Sequence, residues 1–424
     1  MKKGLFFSLV LIAAFVVSSI AATTTLTFLT GPDTQGFFAK AIQLFEQQNP
    51  DIHVQLIQGP SSTNDREQMF MTASMAKTSP YDLIDSDIVW TPALASKGWL
   101  LPLDQYVDIN ELYAKNFAAT VSGGMWDGHL YRIPRMSDAG LIYYRKDLLD
   151  KAGLQPPQTF EELFKDAQQL QDPSKGLWGF VYEGAQYEGL VCFYLEWLWG
   201  NGGNYYNPDT KKIEMDSPQA IQTTQYLVDT ITKYKITPPS VLNFQEEDAR
   251  AMFESGNAVF MRNWPYVWVL SQTDSNSKVV GKVGIIPEVH APGQQPYATQ
   301  GGWGISISAF IAKDKIPAAV KFALFFNTYA IQKLEVKMMG VDVSLRDIYY
   351  DPEVLQWDPY FKDLRTILEN ARWRPAVPFW PQLSSIMSKY LTMAMTGQLT
   401  PAQANAAMQK EAQQVVDNYY QNNQ

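Results

Sequence analysis

The sequence of 424 residues has few of the side chains that bind metal ions or form cross-links. Cys192 is the single cysteine, so no disulfide can form within the chain, and its apolar neighbours predict a buried thiol. The three histidines, His53, His129 and His290, lack the spacing of a metal-binding pair. We therefore expect no metal ion and no other cofactor.

Motifs of nucleotide binding and of common nucleophilic catalysis are also missing. There is no G-x-x-x-x-G-K-[ST] phosphate loop, no dinucleotide-binding G-x-G-x-x-G after a strand and no G-x-S-x-G nucleophile turn. The 34 basic residues are outnumbered by 43 acidic ones. A chain this acidic is a poor partner for nucleic acids and anionic membranes, and we expect it to bind neither.

The first 22 residues are typical of a secretory signal peptide. Lys2 and Lys3 form a basic start, an apolar run covers residues 4–17, and Ser19 and Ala21 are small residues suited to cleavage. We expect a cleaved signal and a periplasmic or extracellular protein, with an uncleaved anchor as the alternative. Loss of the two lysines changes the formal net charge from −9 to −11. No later apolar run is long enough to span a bilayer.

The mature chain alternates between strand-like and helix-like patterns. Residues 25–29, 52–57 and 81–84 resemble strands, whereas the apolar spacing of residues 37–48 predicts a helix and residues 65–77 a second one. This β-α-β order indicates parallel strands joined by crossover helices, and therefore an α/β fold. The length fits two domains, and because no linker separates two halves, we expect the chain to cross between them more than once.

Acidic and aromatic residues cluster in six short stretches beside glycine, proline or charge. Carboxylates and guanidinium groups form charge-assisted hydrogen bonds with hydroxyls, and an aromatic plane packs against the C–H face of a sugar ring. Alone, each aspartate could be a turn former and each tryptophan a core residue. Together the stretches favour a sugar-binding surface. They are residues 85–90, 137–140, 186–189, 262–264, 301–304 and 372–375.

In these stretches and beyond them, the sequence resembles the extracellular solute-binding proteins of ABC sugar importers, the family that includes maltose-binding protein. The likeness covers the whole mature chain and is greatest to the trehalose/maltose-binding proteins. The segments that carry it are GWLLPLD (98–104), DAGLIYYRKDL (138–148), QYEGLVC (186–192), RNWPY (262–266), GGW (301–303), and RP (374–375) with PQLS (381–384).

The resemblance implies a type II periplasmic binding protein fold, with two α/β lobes, each a mainly parallel sheet flanked by helices, and the ligand in the cleft between them. It implies a first lobe of residues 23–138 plus 283–332 and a second of residues 139–282 plus 333–424. A mono- or disaccharide ligand, ABC permease subunits as partners and a monomeric receptor follow from the same likeness.

The resemblance also assigns sugar-binding positions. Asp87, Asp138, Arg66 and Arg374 match residues that bind hydroxyls. Trp264 and Trp303 match the tryptophans that stack on or flank the rings, with Gly302 donating its backbone. Glu188, in the third acidic stretch, completes the expected acidic set.

Two residues depart from the trehalose/maltose pattern. Thr34 stands where those relatives carry an acidic residue in the first loop, with Asp33 and Gln35 as neighbours that could substitute. Met136 stands where they carry a tyrosine. Both are expected at sugar-contact positions, so they bear on which sugar is bound.

Around Trp264, we expect Pro265 to hold the ring at a cleft wall, Arg262 and Asn263 to support or line it, and Trp268 to lie in the core. The main alternative is a secreted glycoside hydrolase that uses Asp87, Asp138 or Glu188 as acid and nucleophile or base.

A cationic cargo such as a polyamine is a further alternative, opposed by Arg66 and Arg374.

Overall fold

The computed structural model describes residues 23–369 and 371–422. The expected signal peptide, residues 1–22, lies outside the described residues. In the part of the chain that the structure describes, no helix is long and apolar enough to span a membrane.

The described residues form fifteen strands. They are β1 Thr24–Thr30, β2 Ile52–Gln58, β3 Leu83–Asp87, β4 Met125–Trp126, β5 His129–Leu130, β6 Arg132–Pro134, β7 Asp138–Ala139, β8 Leu141–Arg145, β9 Trp178–Val181, β10 Tyr206–Asn207, β11 Lys212–Ile213, β12 Ala258–Asn263, β13 Val283–Ile286, β14 Gln300–Gly301 and β15 Trp303–Ile307.

The described residues also form seventeen α-helices. They are α1 Phe37–Gln48, α2 Thr63–Met75, α3 Trp90–Ala95, α4 Ile109–Lys115, α5 Ala118–Ser122, α6 Lys146–Ala152, α7 Phe160–Leu170, α8 Glu188–Gly200, α9 Pro218–Thr232, α10 Glu246–Glu254, α11 Val267–Thr273, α12 Ile316–Phe325, α13 Tyr329–Met339, α14 Pro352–Trp357, α15 Phe361–Glu369, α16 Trp380–Met395 and α17 Pro401–Asn422.

The first lobe is built on a five-stranded sheet in the order β2-β1-β3-β15-β6. The expected β-α-β unit is present, because β1 runs parallel to both β2 and β3 and α1 connects β1 to β2. Phe28 of β1 packs edge-on against Phe38 of α1 and Phe322 of α12, with ring centroids 5.7 and 5.3 Å apart. This apolar contact fixes the helices on the sheet.

The second lobe is built on a four-stranded sheet in the order β13-β8-β12-β9. Helix α8 packs in this lobe, and all thirteen of its residues are buried, which agrees with its nearly continuous apolar sequence. Trp197 of α8 stacks at 5.9 Å on Phe180 of β9. Aromatic residues therefore serve the core here, as the alternative interpretation of the tryptophans anticipated.

Both sheets are mixed rather than mainly parallel, and this corrects the expectation. In the first sheet β15 runs antiparallel to β3 and β6, and in the second β8 runs antiparallel to β12 and β13. A parallel neighbour needs a long crossover within one lobe. By contrast, the chain returns from the other lobe beside the end of β3. Strand β15 begins there, so it runs in the direction opposite to β3.

The lobe boundary expected at residue 283 is wrong, because β13 belongs to the second sheet. Val283 pairs with Arg145 and Ile286 with Ile142 of β8. The chain therefore leaves the second sheet after Ile286, four residues later than expected. The other boundaries, after residues 138 and 332, remain predictions.

Short antiparallel pairing joins the segments that pass between the sheets. In the pair β7–β14, Ala139 lies opposite Gln300 and Asp138 opposite Gly301. These crossing segments confirm that the chain passes between the lobes more than once.

Candidate functional site

The ten residues selected from the sequence line one cavity of about 270 Å³ between the two sheets. Their side chains come from loops, strand ends and helix starts that are far apart in the chain. They are Thr34, Arg66, Asp87, Met136, Asp138, Glu188, Trp264, Gly302, Trp303 and Arg374.

Asp87 and Trp303 are neighbours at the cleft edge of the first sheet. Asp87 ends β3 and pairs with Trp303, which begins β15. The indole of Trp303 meets the edge of Trp90 at 5.6 Å and lies 5.0 Å from the guanidinium carbon of Arg66. Trp303 is therefore held by groups of the first lobe while it remains at the cavity wall.

Arg66 is positioned by the backbone that precedes its helix. Its Nη1 donates to the carbonyl oxygens of Pro60 and Ser61, both at 2.7 Å. Burial lowers the pKa of Arg66, and the nearby carboxylates of Asp85 and Asp87 oppose that effect. One end of the guanidinium is thus fixed, and its charge faces the cavity.

Arg374 connects acidic residues of the two lobes. Its Nη2 donates to Asp87 Oδ1 at 3.0 Å, and its Nη1 donates to Glu188 Oε1 at 2.7 Å. Burial alone would lower the pKa of Arg374, but Asp87 and Glu188 raise it above its ordinary value. The guanidinium therefore keeps its charge and links β3 to the start of α8.

The carboxylate of Glu188 accepts two further hydrogen bonds within the second lobe. The indole Nε1 of Trp380 donates to its Oε1 at 3.0 Å, and the hydroxyl of Ser384 donates to its Oε2. Burial raises the pKa of Glu188, and the contact with Arg374 limits the rise. Its backbone N–H donates to Asn64 Oδ1 of the first lobe at 3.2 Å.

Asp138 is a cleft carboxyl that forms no ion pair with another described residue. It lies in β7, and the backbone N–H of Ala139 donates to its Oδ1 at 3.1 Å. Burial raises the pKa of Asp138 to about 8. At neutral pH this side chain is a buried carboxylic acid that can donate as well as accept a hydrogen bond.

Trp264 follows directly after β12 and is half-buried at the cavity wall. The hydroxyl of Tyr143 donates to the carbonyl oxygens of Trp264 and Pro265, at 2.8 and 2.9 Å. The guanidinium of Arg262 lies over the indole at 4.2 Å from its centroid. One face of the ring is covered by this cation, so the ring meets the cavity with its other side.

Arg262 and Asn263 support Trp264 without lining the cavity. Arg262 is fully buried and paired with Glu196 and Glu183. Asn263 accepts a hydrogen bond from the backbone N–H of Trp264 at 2.8 Å. Trp268, expected in the core, is buried in α11.

The backbone conformation at position 302 requires glycine. Its φ is +142°, and a Cβ at this position would lie 2.7 Å from the carbonyl oxygen of Met136. A side chain here would strain the backbone and push Met136 away from the cavity wall.

Of the two neighbours of Thr34 that could substitute for the acidic residue of the relatives, Gln35 lines the cavity and Asp33 does not. The carboxylate of Asp33 accepts from the backbone N–H groups of Phe38 and Ala39, at 3.1 and 2.9 Å, so it caps α1 and does not line the cavity. Thr34 and Gln35 both line it, and the Thr34 hydroxyl donates to Gln35 Oε1 at 2.8 Å. An amide thus faces the cavity beside the hydroxyl.

Residues 31–333 match the sequence profile of the family described as bacterial extracellular solute-binding protein. The chain belongs to this family. This solute-binding protein is 31% identical to a probable ABC transporter-binding protein of Deinococcus radiodurans. The alignment spans 404 residues and covers 93% of this chain and 94% of the relative.

Solved structures of other solute-binding proteins share the fold. Maltose-bound MalE3 of T. maritima superposes with a TM-score of 0.88 at 34% identity, over 93% of this chain and 100% of that one. A solute-binding protein of Agrobacterium radiobacter K84 in complex with ribitol has a TM-score of 0.85 at 26% identity, over 93% and 99%. The expected type II periplasmic binding protein fold is confirmed.

Sequence reasoning missed several residues that line the cleft of this solute-binding protein. Glu246 and Glu247 begin α10, and Tyr266 donates to Glu247 Oε1 at 2.6 Å. Tyr266 could have been found as the next aromatic after Trp264, two residues along the chain. The two glutamates carry no local signal, because they reach the cleft only through the packing of α10 against β12.

Asp85 and Arg135 are a further missed pair at the cavity wall. Arg135 donates to both carboxylate oxygens of Asp85, at 3.2 and 2.8 Å, and also pairs with Glu335 of α13. Asp85 lies in the same acidic stretch as Asp87, so the sequence had placed it nearby. Its partner Arg135 directly follows β6 of the first lobe and could not be inferred from spacing.

Proposed function

We propose that this solute-binding protein is the receptor of an ABC sugar importer and captures a disaccharide or glucose-type sugar of the trehalose/maltose class. The observation that carries the proposal is the combination in one cleft of Trp264, whose ring has one face covered by Arg262, with the bridge Asp87–Arg374–Glu188. The similarity to maltose-bound MalE3 supports the same class of ligand.

Each type of group in the cleft has a distinct role in this proposal. The indole of Trp264 packs against the C–H face of a sugar ring. Asp87, Arg374 and Arg66 form charge-assisted hydrogen bonds with hydroxyls, and neutral Asp138 donates to a hydroxyl or ring oxygen. The walls therefore match the alternating apolar and polar surface of a sugar.

Capture depends on contacts from both lobes. Asp87 and Trp303 are presented by the first sheet, whereas Glu188 and Trp264 are presented by elements of the second lobe. A sugar that touches both sets binds the closed arrangement more tightly than the open one, so it shifts the population towards closure. The permease then recognises the closed protein, and the receptor itself performs no reaction.

The proposal includes export by a cleaved signal peptide and action as a monomer in the periplasm or outside the cell. N-terminal sequencing of the secreted protein tests the first part, with a start at residue 22 or 23 as the expected result. Sedimentation at micromolar concentration tests the second.

Sugar binding is tested on purified protein that has been unfolded and refolded to remove bound ligand. Tryptophan fluorescence and calorimetry follow titrations with maltose, trehalose, sucrose and glucose, and chromatography follows the sugars overnight. We expect saturable binding with one sugar per chain and no product. Release of glucose from a disaccharide would instead identify a hydrolase, and no binding of any sugar would refute the proposed ligand class.

The variant Trp264→Ala locates the site within this test. We expect affinity to fall about 10- to 100-fold, since burial of an aromatic face contributes roughly 1.5–3 kcal/mol. Trp99→Ala is the matched control, because Trp99 is also half-buried but lies outside the cavity. Equal losses in the two variants would contradict the assignment of Trp264.

A further inference from the structure

The segment of residues 371–374, between α15 and α16, passes along the crossing between the two lobes. Arg372 pairs with the strand-like segment that leads into β14: its N–H donates to the Ala298 carbonyl and its carbonyl accepts from the Gln300 N–H, both at 2.8 Å. The segment is therefore fixed to the region about which the lobes are joined.

Each side chain of residues 372–374 contacts a different part of the protein. The guanidinium of Arg372 lies over two rings of the second lobe, 5.2 Å from Trp199 and 4.8 Å from Tyr297. Arg374 links the two lobes through Asp87 and Glu188. The side chain between these two arginines, Trp373, faces the first lobe.

Trp373 lies in an apolar recess of the first lobe. A cavity of about 200 Å³ is bounded on one side by Trp373 and on the other by Ile88, Val89, Pro92 and Met125, among others. At Gly123 a Cβ would lie 2.6 Å from Trp373 Cη2, so the indole rests against the bare backbone of this glycine.

This contact is separate from the proposed sugar site. Trp373 does not line the sugar cavity, whereas Arg374 lines both cavities. Trp373 is 36% exposed, and part of its covered surface lies against Gly123 of the first lobe. A large aromatic group in such a position contributes apolar burial that exists only while the lobes are together.

We propose that Trp373 is a latch residue: it inserts into the Gly123 recess of the first lobe, stabilises the closed arrangement and so sets ligand affinity without touching the ligand. The inference rests on the proposed function where sugar affinity is the readout. The apparent dissociation constant depends on the population of the binding-competent closed state, so loss of the latch weakens binding even though every ligand contact remains.

Two measurements on Trp373→Ala test the latch. In ligand-free protein we expect a larger radius of gyration by small-angle scattering than in wild type, because the latch keeps a fraction of the ligand-free molecules closed and its loss lowers that fraction. With the sugar that binds wild type, we expect affinity to fall on the order of tenfold, mainly through faster dissociation. An unchanged radius of gyration, or an unchanged affinity, would overturn the proposal.

A matched control and a rescue variant distinguish the latch from general destabilisation. Trp357→Ala removes another half-buried indole that lines neither cavity, and we expect it to change neither scattering nor affinity. Trp373→Phe keeps a ring in the recess and should recover most of the affinity. If Trp373→Ala does not fold, Trp373→Leu replaces it with the same expected directions.

The scattering measurement separates this inference from the proposed ligand class. If no sugar binds wild type, the ligand class is wrong, yet a larger radius of gyration for Trp373→Ala still supports the latch. If sugar binds both proteins equally, the ligand class stands and the latch is wrong.

Discussion

Replacing Arg262 with methionine removes the cation from a buried group of carboxylates behind Trp264. Arg262 Nε and Nη2 donate to the two oxygens of Glu196 at 2.8 and 2.5 Å, and Nη1 donates to Glu183 at 3.2 Å. The side chains of all three residues are fully buried. Without the guanidinium, two acidic groups remain in the interior with no opposite charge from this residue.

The expected cost in free energy of unfolding is large because Glu196 and Glu183 stay buried after their cation is removed. Removing one member of a buried ion pair destabilises a protein by about 3–5 kcal/mol. We expect the free energy of unfolding of Arg262→Met to fall by that amount near pH 7. Lys115→Met is the control: Lys115 pairs with Glu111 on the surface, so its loss should cost at most about 1 kcal/mol.

The penalty should also depend on pH in a definite direction. Burial already raises the pKa of Glu183 to about 8, with Arg262 opposing the rise. Without Arg262 the pKa of Glu183 rises further, so the folded protein holds a proton there that the unfolded chain releases above about pH 4.3. Both proteins lose stability as pH rises from about 4.3 to about 8, but in the variant the loss continues to higher pH, so the gap between variant and wild type widens above about pH 8.

Urea unfolding followed by circular dichroism measures both effects. The double variant Arg262→Met/Glu196→Gln should recover part of the loss, because one buried charge is gone. Sugar affinity should fall as well, since Trp264 loses the group that lies 4.2 Å behind its ring. Equal unfolding midpoints for Arg262→Met and wild type at pH 8 would refute this reasoning.

Three further predictions concern the cleft. The pKa of about 8 for Asp138 means that the folded protein holds a proton there which the unfolded chain has lost. Ligand-free wild type should therefore lose stability relative to Asp138→Asn between pH 5 and pH 8, by up to about 1.4 kcal/mol per pH unit, as measured by urea unfolding. Gly302→Ala should destabilise the protein by about 1–3 kcal/mol and weaken sugar binding, because φ is +142° there; thermal unfolding and calorimetry measure both. Thr34→Glu introduces the acidic group of the trehalose/maltose relatives and should strengthen binding of one of these sugars about tenfold, as calorimetry would show.

Local patterns predicted the fold where neighbouring residues determine it. The helix expected over residues 37–48 has those bounds, and β1 and β2 flank it as expected. The strand expected over residues 81–84 instead covers Leu83–Asp87, so Asp87 ends the strand rather than following it. The direction of β15 and the place of β13 depend on where the chain returns from the other lobe, and local periodicity carries no information about that.

The cleft was predicted for similar reasons and with similar gaps. The ten residues that line the cavity could be selected because their stretches match a family as a set. Sequence spacing alone would not have placed residues 34 and 374 together. The sequence could not decide between Asp33 and Gln35 as the first-loop substitute, because a carboxylate before a helix can either cap the helix or contact ligand. Asp33 caps α1, whereas Gln35 lines the cavity. Trp373 was expected at the sugar-binding surface with the rest of residues 372–375, but it lies instead at the Gly123 recess, which only the folded first lobe forms.

The most direct test of the account is a crystal structure of the protein with the sugar selected by titration. We expect one sugar between the lobes, with a ring against Trp264 and hydroxyls hydrogen-bonded to Asp87, Asp138 and Arg374. A sugar bound outside this cavity, or one held by a single lobe while the cleft is empty, would contradict the central claim that these residues form a closing sugar site.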